Sequence, residues 1–392
     1  MPAFLLWRPS RDGIASSGGA AIFSCALGIA SVALPLVALR SGYSATEVGI
    51  LTAISAVAQL ATRFVLGVVM RFVGDWLLIA GASLLLAVSN ALVAISAAIL
   101  PFIIGQALQG VARACFWTGS QTHVVRGSGR SVGALAIINL VSGFGLLLGP
   151  VAAGVVIERS IRASLVVGAV IAAAAVVPAL MLDRLPAFSP PPERPPGRIW
   201  RRPGVNAGCW AGVSAGAWRG LLSSYVPVAL ESARQSAPTI GALISVANGA
   251  QLVGSFLVGR VSGPWIRRVY VLGTVAAGGA TALVTLGAGS WWMAGALLAI
   301  SGLGAGALQT VGPAIATDAV HPEERGEAIA AAGAFRAAAL FGAPLAVAGA
   351  VAVIPLAAAM GIAGALIAAT AYMVRGQIPS AAPSGAGRSG RQ

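Results

Sequence analysis

The chain is 392 residues long, 57% hydrophobic and only 9% charged, whereas soluble domains carry about one-quarter charged residues. That composition marks an all-α integral membrane protein and leaves no room for a soluble catalytic domain. The formal net charge of +14 would suit a nucleic-acid partner, yet all 25 basic residues are arginine and most stand in short loops between apolar stretches. Membrane topology accounts for them, and no nucleic-acid partner is expected.

Apolar stretches of about 20 residues cross a hydrocarbon core of roughly 30 Å as helices, and the chain offers about twelve. In order they cover 14–38, 46–70, 77–97, 100–122, 132–157 and 163–182, then 205–228, 239–261, 269–288, 291–316, 326–350 and 352–374. The run beginning near Gly13 is long and is followed by further spans, so it reads as a retained first helix rather than a signal peptide. Cys25, Cys115 and Cys209 stand alone in apolar runs, with neither metal-ligand nor disulfide spacing, and read as buried, inert thiols. No metal or cofactor is expected.

Between the sixth and seventh spans, residues 183–204 contain Ser189-Pro190-Pro191-Pro192, Pro195-Pro196 and five arginines. Such a segment cannot form a membrane helix, so it reads as a linker between an N-terminal six-helix half (1–182) and a C-terminal one (205–374), with a flexible tail at 375–392. With the N-terminus inside, the inner loops, tails and adjoining helix ends hold seventeen arginines, whereas the outer loops hold only Arg40, Arg159, Arg162 and Arg234. This asymmetry predicts cytoplasmic N-terminus, linker and C-terminus for a multi-pass protein of the cell's inner (plasma) membrane.

The halves repeat weakly. Gly49, Gln59, Leu60 and Gly67 recur 192 residues later as Gly241, Gln251, Leu252 and Gly259, and Val37-Ala38-Leu39 recurs one residue out of step as Val228-Ala229-Leu230. Two parallel six-helix pseudo-repeats place a substrate site at their interface near the bilayer midplane.

Twelve spans, the 6+6 division and the long inner linker resemble the major facilitator superfamily of transporters. Its signature after the second span has a glycine, an acid four residues on, a glycine three further, then basic residues. Here Gly67 and Gly74 match, but Arg71 stands where the acid is expected and Asp75 where a base is expected. An Arg71–Asp75 contact with reversed polarity and an eroded motif with two solvated charges are both open readings. The second half keeps Gly259 and Arg267-Arg268, with Gly263 in place of the acid.

In the fifth span Gly145, Gly149-Pro150 and Gly154 resemble the family's antiporter-associated signature, with Gly342, Ala343 and Pro344 as a partial counterpart in the eleventh. Glycine admits close helix contact and proline removes a backbone donor, which suits a bent helix at a moving interface, although small residues also pack static helices.

The fourth span carries a polar face of Gln106, Gln109, Gly110, Arg113, Trp117, Ser120 and Gln121 at mostly three- and four-residue steps, predicting a cavity-facing stripe. Arg219 lies within the seventh span beside Gly212, Ala215, Gly216 and Ser223, and Arg336 within the eleventh beside Ala332, Gly333 and Ala339. Arg63 falls nearer a helix end. No aspartate or glutamate accompanies the three at depth, and an unpaired intramembrane cation is costly unless it faces a cavity or a partner. In the resembled family the first, fourth, seventh and tenth helices line the cavity, which implies Arg113 and Arg219 as lining residues and Arg336 as a flanking one.

Arginine's planar fork suits carboxylate, sulfonate or phosphate; the alternative is that each arginine binds carbonyls, amides or water and fixes packing. Trp117, Trp210 and Trp218 suit stacking on a flat substrate or ordinary helix packing equally. Glu47, Asp75, Asp318 and Glu327 fall at helix ends or loops, and His123 and His321 read as solvated, which argues against an intramembrane carboxylate relay. The expected function is alternating-access transport of a small organic anion or acidic amphipath, with Arg113, Arg219, Arg336, Gln109 and Trp117 as substrate contacts. Whether a proton or a counter-anion couples the movement stays open. Proton-coupled drug or metabolite efflux is the runner-up, a non-transporting receptor or scaffold the alternative of another class, and an enzyme is not expected.

Overall fold

The computed structural model describes residues 10–70, 72–127, 131–185, 199–258, 265–320, 325–374 and 376. Arg71, most of the proline-rich linker and nearly all of the C-terminal tail lie outside them, and at Gly67 only the helical backbone is described.

Among the described residues every regular element is helical. The α-helices are α1 (Arg11–Arg40), α2 (Ala45–Val69), α3 (Asp75–Ile95), α4 (Ile99–Gly127), α5 (Ser131–Arg159), α6 (Ile161–Ala174), α7 (Val176–Leu180), α8 (Pro203–Ser232), α9 (Ala237–Val258), α10 (Trp265–Gly287), α11 (Trp291–Asp318), α12 (Arg325–Val351) and α13 (Leu356–Met373). Local chemistry sets several ends. The Ser10 hydroxyl accepts from the Gly13 N–H at the start of α1, Ser44 and Glu47 form a reciprocal capping box on α2, and Pro203 takes the first position of α8. The sixth span, predicted as one helix, is broken at Ala175 into α6 and α7, because Pro178 has no N–H to return to the Ala174 carbonyl.

Among the described residues eleven segments are long and apolar enough to cross a membrane, α6 and α7 together forming one of them. The exception is α8. At 30 residues it matches α1 in length, but Asn206, Ser214, Arg219, Ser223, Ser224 and its glycines dilute its hydropathy. Burial among other helices compensates: most residues from Gly204 to Leu230 are covered.

Helices α1–α7 pack mainly on one another, α1 against α5 and α6, and α4 against α2 and α3. Helices α8–α13 do likewise, α8 against α12 and α11, and α10 against α11 and α13. The two groups meet along α5 against α9 and α2 against α12, with α1 touching α8. Where α1 and α8 end, Arg40 Nε lies 3.0 Å from Glu231 Oε1.

The sequence repeat acquires contacts in space. A methyl group built on Gly28 of α1 would meet Pro150 Cδ of α5 at 2.8 Å; one built on Gly220 of α8, 192 residues later, would meet Pro344 Cδ of α12 at 3.0 Å. Gly49 and Gly241 both sit where the two groups of helices touch. Gly49 faces the Tyr225 hydroxyl and Ala348, and Gly241 faces the Pro150 carbonyl and Gly154. Neither leaves space for a side chain.

Candidate functional site

Four arginines converge between the two groups of helices: Arg63 from α2, Arg113 from α4, Arg219 from α8 and Arg336 from α12. Four of the pairs they form are within electrostatic reach. Arg63 acts on both Arg113 and Arg336, and these two both act on Arg219. Arg63 is exposed and the other three are half-buried. Arg63 stands in the last two turns of α2, near the helix end as its place in the span 46–70 predicts, and from there it is within electrostatic reach of Arg113 and Arg336.

Packing explains the convergence. The α8 glycines expected to leave room beside Arg219 are instead filled by α12. Gly216 abuts the Arg336 carbonyl, and a methyl group on Gly212 would stand 3.5 Å from Arg336 Cβ. Close approach of the two helices brings Arg336 alongside Arg219.

Neutral side chains hold the two C-terminal arginines. Arg219 Nη1 donates to Asn248 Oδ1 at 2.5 Å, and Arg336 Nη2 donates to Gln309 Oε1 at 3.4 Å, an oxygen that also accepts from Gln251 Nε2 at 2.5 Å. Among the described residues, Arg63 and Arg113 have no hydrogen-bond acceptor, and none of the four arginines has a carboxylate partner. Amides orient a guanidinium without cancelling its charge, so the cluster keeps its positive sign.

Beside Arg113 lies a small polar cavity lined by Gln106 and Gln109 of α4, Thr52 of α2, Ser31 and Pro35 of α1 and Ser223 of α8. Gln109 Oε1 accepts from Ser55 at 3.5 Å, while its Nε2 is buried without a described partner. Trp117, placed on the same stripe by its spacing, does not line this cavity. Its ring stands edge-on to Phe116 at 5.7 Å and packs with the core around Phe23. Trp218 is buried against Leu222, Val284 and Leu298, so packing accounts for it.

The glycines of α5 divide between two partners. Gly145 and Gly149 meet the α1 backbone near Cys25, whereas Gly154 meets Ala237 and Pro238 of α9. Pro150 adds an electronic consequence. Lacking an N–H, it leaves the Leu146 carbonyl one turn back without its helical donor, and Asn248 Nδ2 supplies one at 2.9 Å. The Asn248 side chain thus joins Arg219 on one side to the proline-bent backbone of α5 on the other. Ser245 donates to the neighbouring Leu147 carbonyl at 2.6 Å.

A second polar cluster lies ten residues further along α4, about 15 Å away. His123 Nε2 is 2.9 Å from Asp12 Oδ1, its Nδ1 is 3.8 Å from Asp75 Oδ2, and its side chain is 1% exposed. Asp12 Oδ1 also accepts the Asp183 N–H at 2.9 Å. The solvated readings of His123 and Asp75 are corrected by this burial: three helix ends close over the pair, with His123 Nε2 hydrogen-bonded to Asp12 and both side chains covered. Gly74, of the same loop signature, is the N-cap of α3.

Asn248, Gln309 and Arg63 were missed from the sequence as site residues. The available signal was a carboxamide or a cation inside an apolar stretch, and Gln251 stood out only as the repeat mate of Gln59.

The sequence matches the Major Facilitator Superfamily over residues 17–228 and again over 208–391. No curated protein matches it. Among solved structures, a mutant of the nucleoside transporter NupG superimposes with a TM-score of 0.76 at 11% identity, covering 93% of this chain and 98% of its own. A POT family transporter in complex with 5-aminolevulinic acid gives 0.74 at 11% identity, with 93% and 95% covered. A bacterial homolog of the human lysosomal transporter Spinster, inward-facing and unoccupied, gives 0.69 at 14%, with 94% and 95% covered. At such identities the likeness establishes the fold alone. With the family match spanning both groups of helices, the chain belongs to the Major Facilitator Superfamily, a multi-pass membrane transporter family.

Proposed function

We propose that the protein is a secondary transporter of small organic anions, working by alternating exposure of the arginine-lined centre as the halves 1–182 and 205–374, joined by the segment 183–204, rock against one another. The observation that carries this reading is the convergence of Arg63, Arg113, Arg219 and Arg336 from both groups of helices, none with a carboxylate partner among the described residues. Bringing such charges together inside a membrane protein is unfavourable unless an anion joins them. NupG is a nucleoside transporter and the POT family transporter is in complex with 5-aminolevulinic acid, and both solutes are small, polar and organic. The termini are taken as cytoplasmic, in the cell's inner membrane.

A counter-anion is the favoured coupling partner, since no described carboxylate pairs with the arginines. The α5 glycine–proline motif and the buried His123 cluster favour a second reading, proton-coupled efflux. Flux of radiolabelled organic anions, cations and neutral solutes into proteoliposomes, each with and without an imposed pH gradient, separates the two. Anion movement stimulated by anions on the opposite face supports the first reading. Export of cations driven by the pH gradient, with no anion movement or competition, overturns it.

A further inference from the structure

We infer that Asn248 makes movement of the two halves conditional on an anion at Arg219, so that an unloaded carrier returns slowly and transport runs as exchange. This rests on the anion-transport reading and names a coupling residue within it. Asn248 is a positioning residue: it touches Arg219 and the α5 backbone, and acts on the solute only through the arginine.

The chemistry of its partners fixes which end of the amide does what. A guanidinium only donates and a backbone carbonyl only accepts, so Oδ1 turns to Arg219 Nη1 and Nδ2 to the Leu146 carbonyl. Arg219 and Asn248 lie in α8 and α9, and Leu146 in α5, so one amide ties Arg219 to the opposite half. The carbonyl needs this donor, because Pro150 withholds the helical one and the bilayer core offers no water in its place. Linked hydrogen bonds polarise one another in a low-dielectric interior. A cation donating to Oδ1 therefore strengthens donation from Nδ2. An anionic group that draws the guanidinium to itself removes that polarisation and releases the anchor that orients the amide, so the tie between the halves loosens.

The α5–α9 seam contains its own control. Ser245, one turn earlier in α9, donates to the Leu147 carbonyl across the same seam at 2.6 Å and makes no described hydrogen bond to an arginine. Leu147 also keeps its helical donor, the Val151 N–H. Where α2 meets α12 the arrangement is absent. Pro344 withholds a donor from the Leu340 carbonyl as Pro150 does from Leu146, but the residue 192 positions before Asn248 is Ala56, which has no polar group to offer. The tie between Arg219 and the opposite half is thus confined to one seam.

The test compares exchange with net flux. Proteoliposomes loaded with radiolabelled lactate, succinate or glycerol 3-phosphate are diluted into buffer with or without the same unlabelled anion. The ratio of the two efflux rates reports how much faster a loaded carrier reorients than an unloaded one. Wild type is expected to release label faster with the anion outside. Asn248→Ala should lower the ratio about fivefold, the worth of one buried hydrogen bond. Asn248→Asp, whose carboxylate accepts from Arg219 and has no N–H for Leu146, should lower it too, and decides the matter if Asn248→Ala fails to fold. Ser245→Ala should leave the ratio near wild type whatever its melting temperature, since lost packing alone slows both rates together. An unchanged ratio in Asn248→Ala, an equal fall in Ser245→Ala, or wild-type flux indifferent to the external anion overturns the proposal and leaves anion transport standing. Movement of cations or neutral solutes, with none of the three anions moving, removes the underlying reading as well.

Discussion

The two halves share a skeleton and differ in what they place at the centre. Gly28 against Pro150 and Gly220 against Pro344 are the same helix contact made twice, and Gly49 and Gly241 occupy corresponding places where the halves touch. The polar groups do not follow this symmetry. The C-terminal half anchors its arginines on Asn248 and Gln309, whereas the N-terminal half presents Arg63 and Arg113 without a described acceptor and, among the described residues, alone carries a cluster like that of His123, Asp12 and Asp75. Backbone packing is shared by steric necessity, since two helices approach closely only where a side chain is missing. Polar positions are free to diverge once the skeleton holds, and the divergence makes the interior asymmetric.

The largest expected effect comes from the paired interface glycines. A methyl group on Gly241 overlaps the Pro150 carbonyl, part of a packed backbone, while one on Gly49 meets the hydroxyl end of the buried Tyr225, a side chain rather than backbone. Gly241→Ala is expected to abolish flux and to cost about 1–3 kcal/mol in stability, and Gly49→Ala to cost less. Melting temperature in detergent together with flux checks both, and equal damage at the two sites would contradict the asymmetry.

Next in size, Arg113→Gln or Arg219→Gln is expected to reduce anion flux about tenfold or more, given the ~1.5–3 kcal/mol of a charged hydrogen bond. Membrane insertion should stay intact, and wild-type flux from both variants would remove these residues from the site.

A smaller effect is expected at Asn248. Asn248→Ala frees Arg219 and leaves the Leu146 carbonyl unpaired, so half-saturation should rise several-fold, consistent with about 1 kcal/mol for one buried hydrogen bond. A double-mutant cycle with Arg219→Gln should show the two substitutions to be non-additive, whereas Asn248→Ala paired with Arg113→Gln should be closer to additive.

The smallest effect belongs to the Arg40–Glu231 pair, with side chains 42% and 25% exposed. Arg40→Gln should change stability by no more than about 1 kcal/mol. Its signature is a modest shift in the accessibility of cysteines introduced at the α1 and α8 ends, with substrate preference unaltered.

Much of the architecture was legible because membrane helices announce themselves as apolar runs of spanning length. The break at Ala175 escaped, since it depends on the hydrogen bond that Pro178 withholds one turn earlier. At the centre, Arg113, Arg219 and Arg336 stood out as cations in apolar stretches, and Gln109 stood with them by helical spacing. Trp117 shared that spacing and turned into the Phe23–Phe116 core, because periodicity gives a face and not the neighbour facing it. Arg63 was set aside by distance along the chain, although the tilt and packing of α2 decide which charges it meets. His123 was read as solvated for lack of a nearby partner in sequence; its carboxylates stand at positions 12 and 75, visible only once three helix ends meet.

The polar character of α8 has a consequence for how the protein is made. An arginine near the centre of a membrane helix costs about 2.5–3.5 kcal/mol on insertion, and α8 has less apolar surface than its fellow spans to offset it. The helices that cover it most closely, α11 and α12, emerge later in synthesis. Secure lodging of α8 in the bilayer is therefore delayed until they arrive, and a nascent chain ending at Ser232 should hold this helix poorly although its six preceding spans are in place.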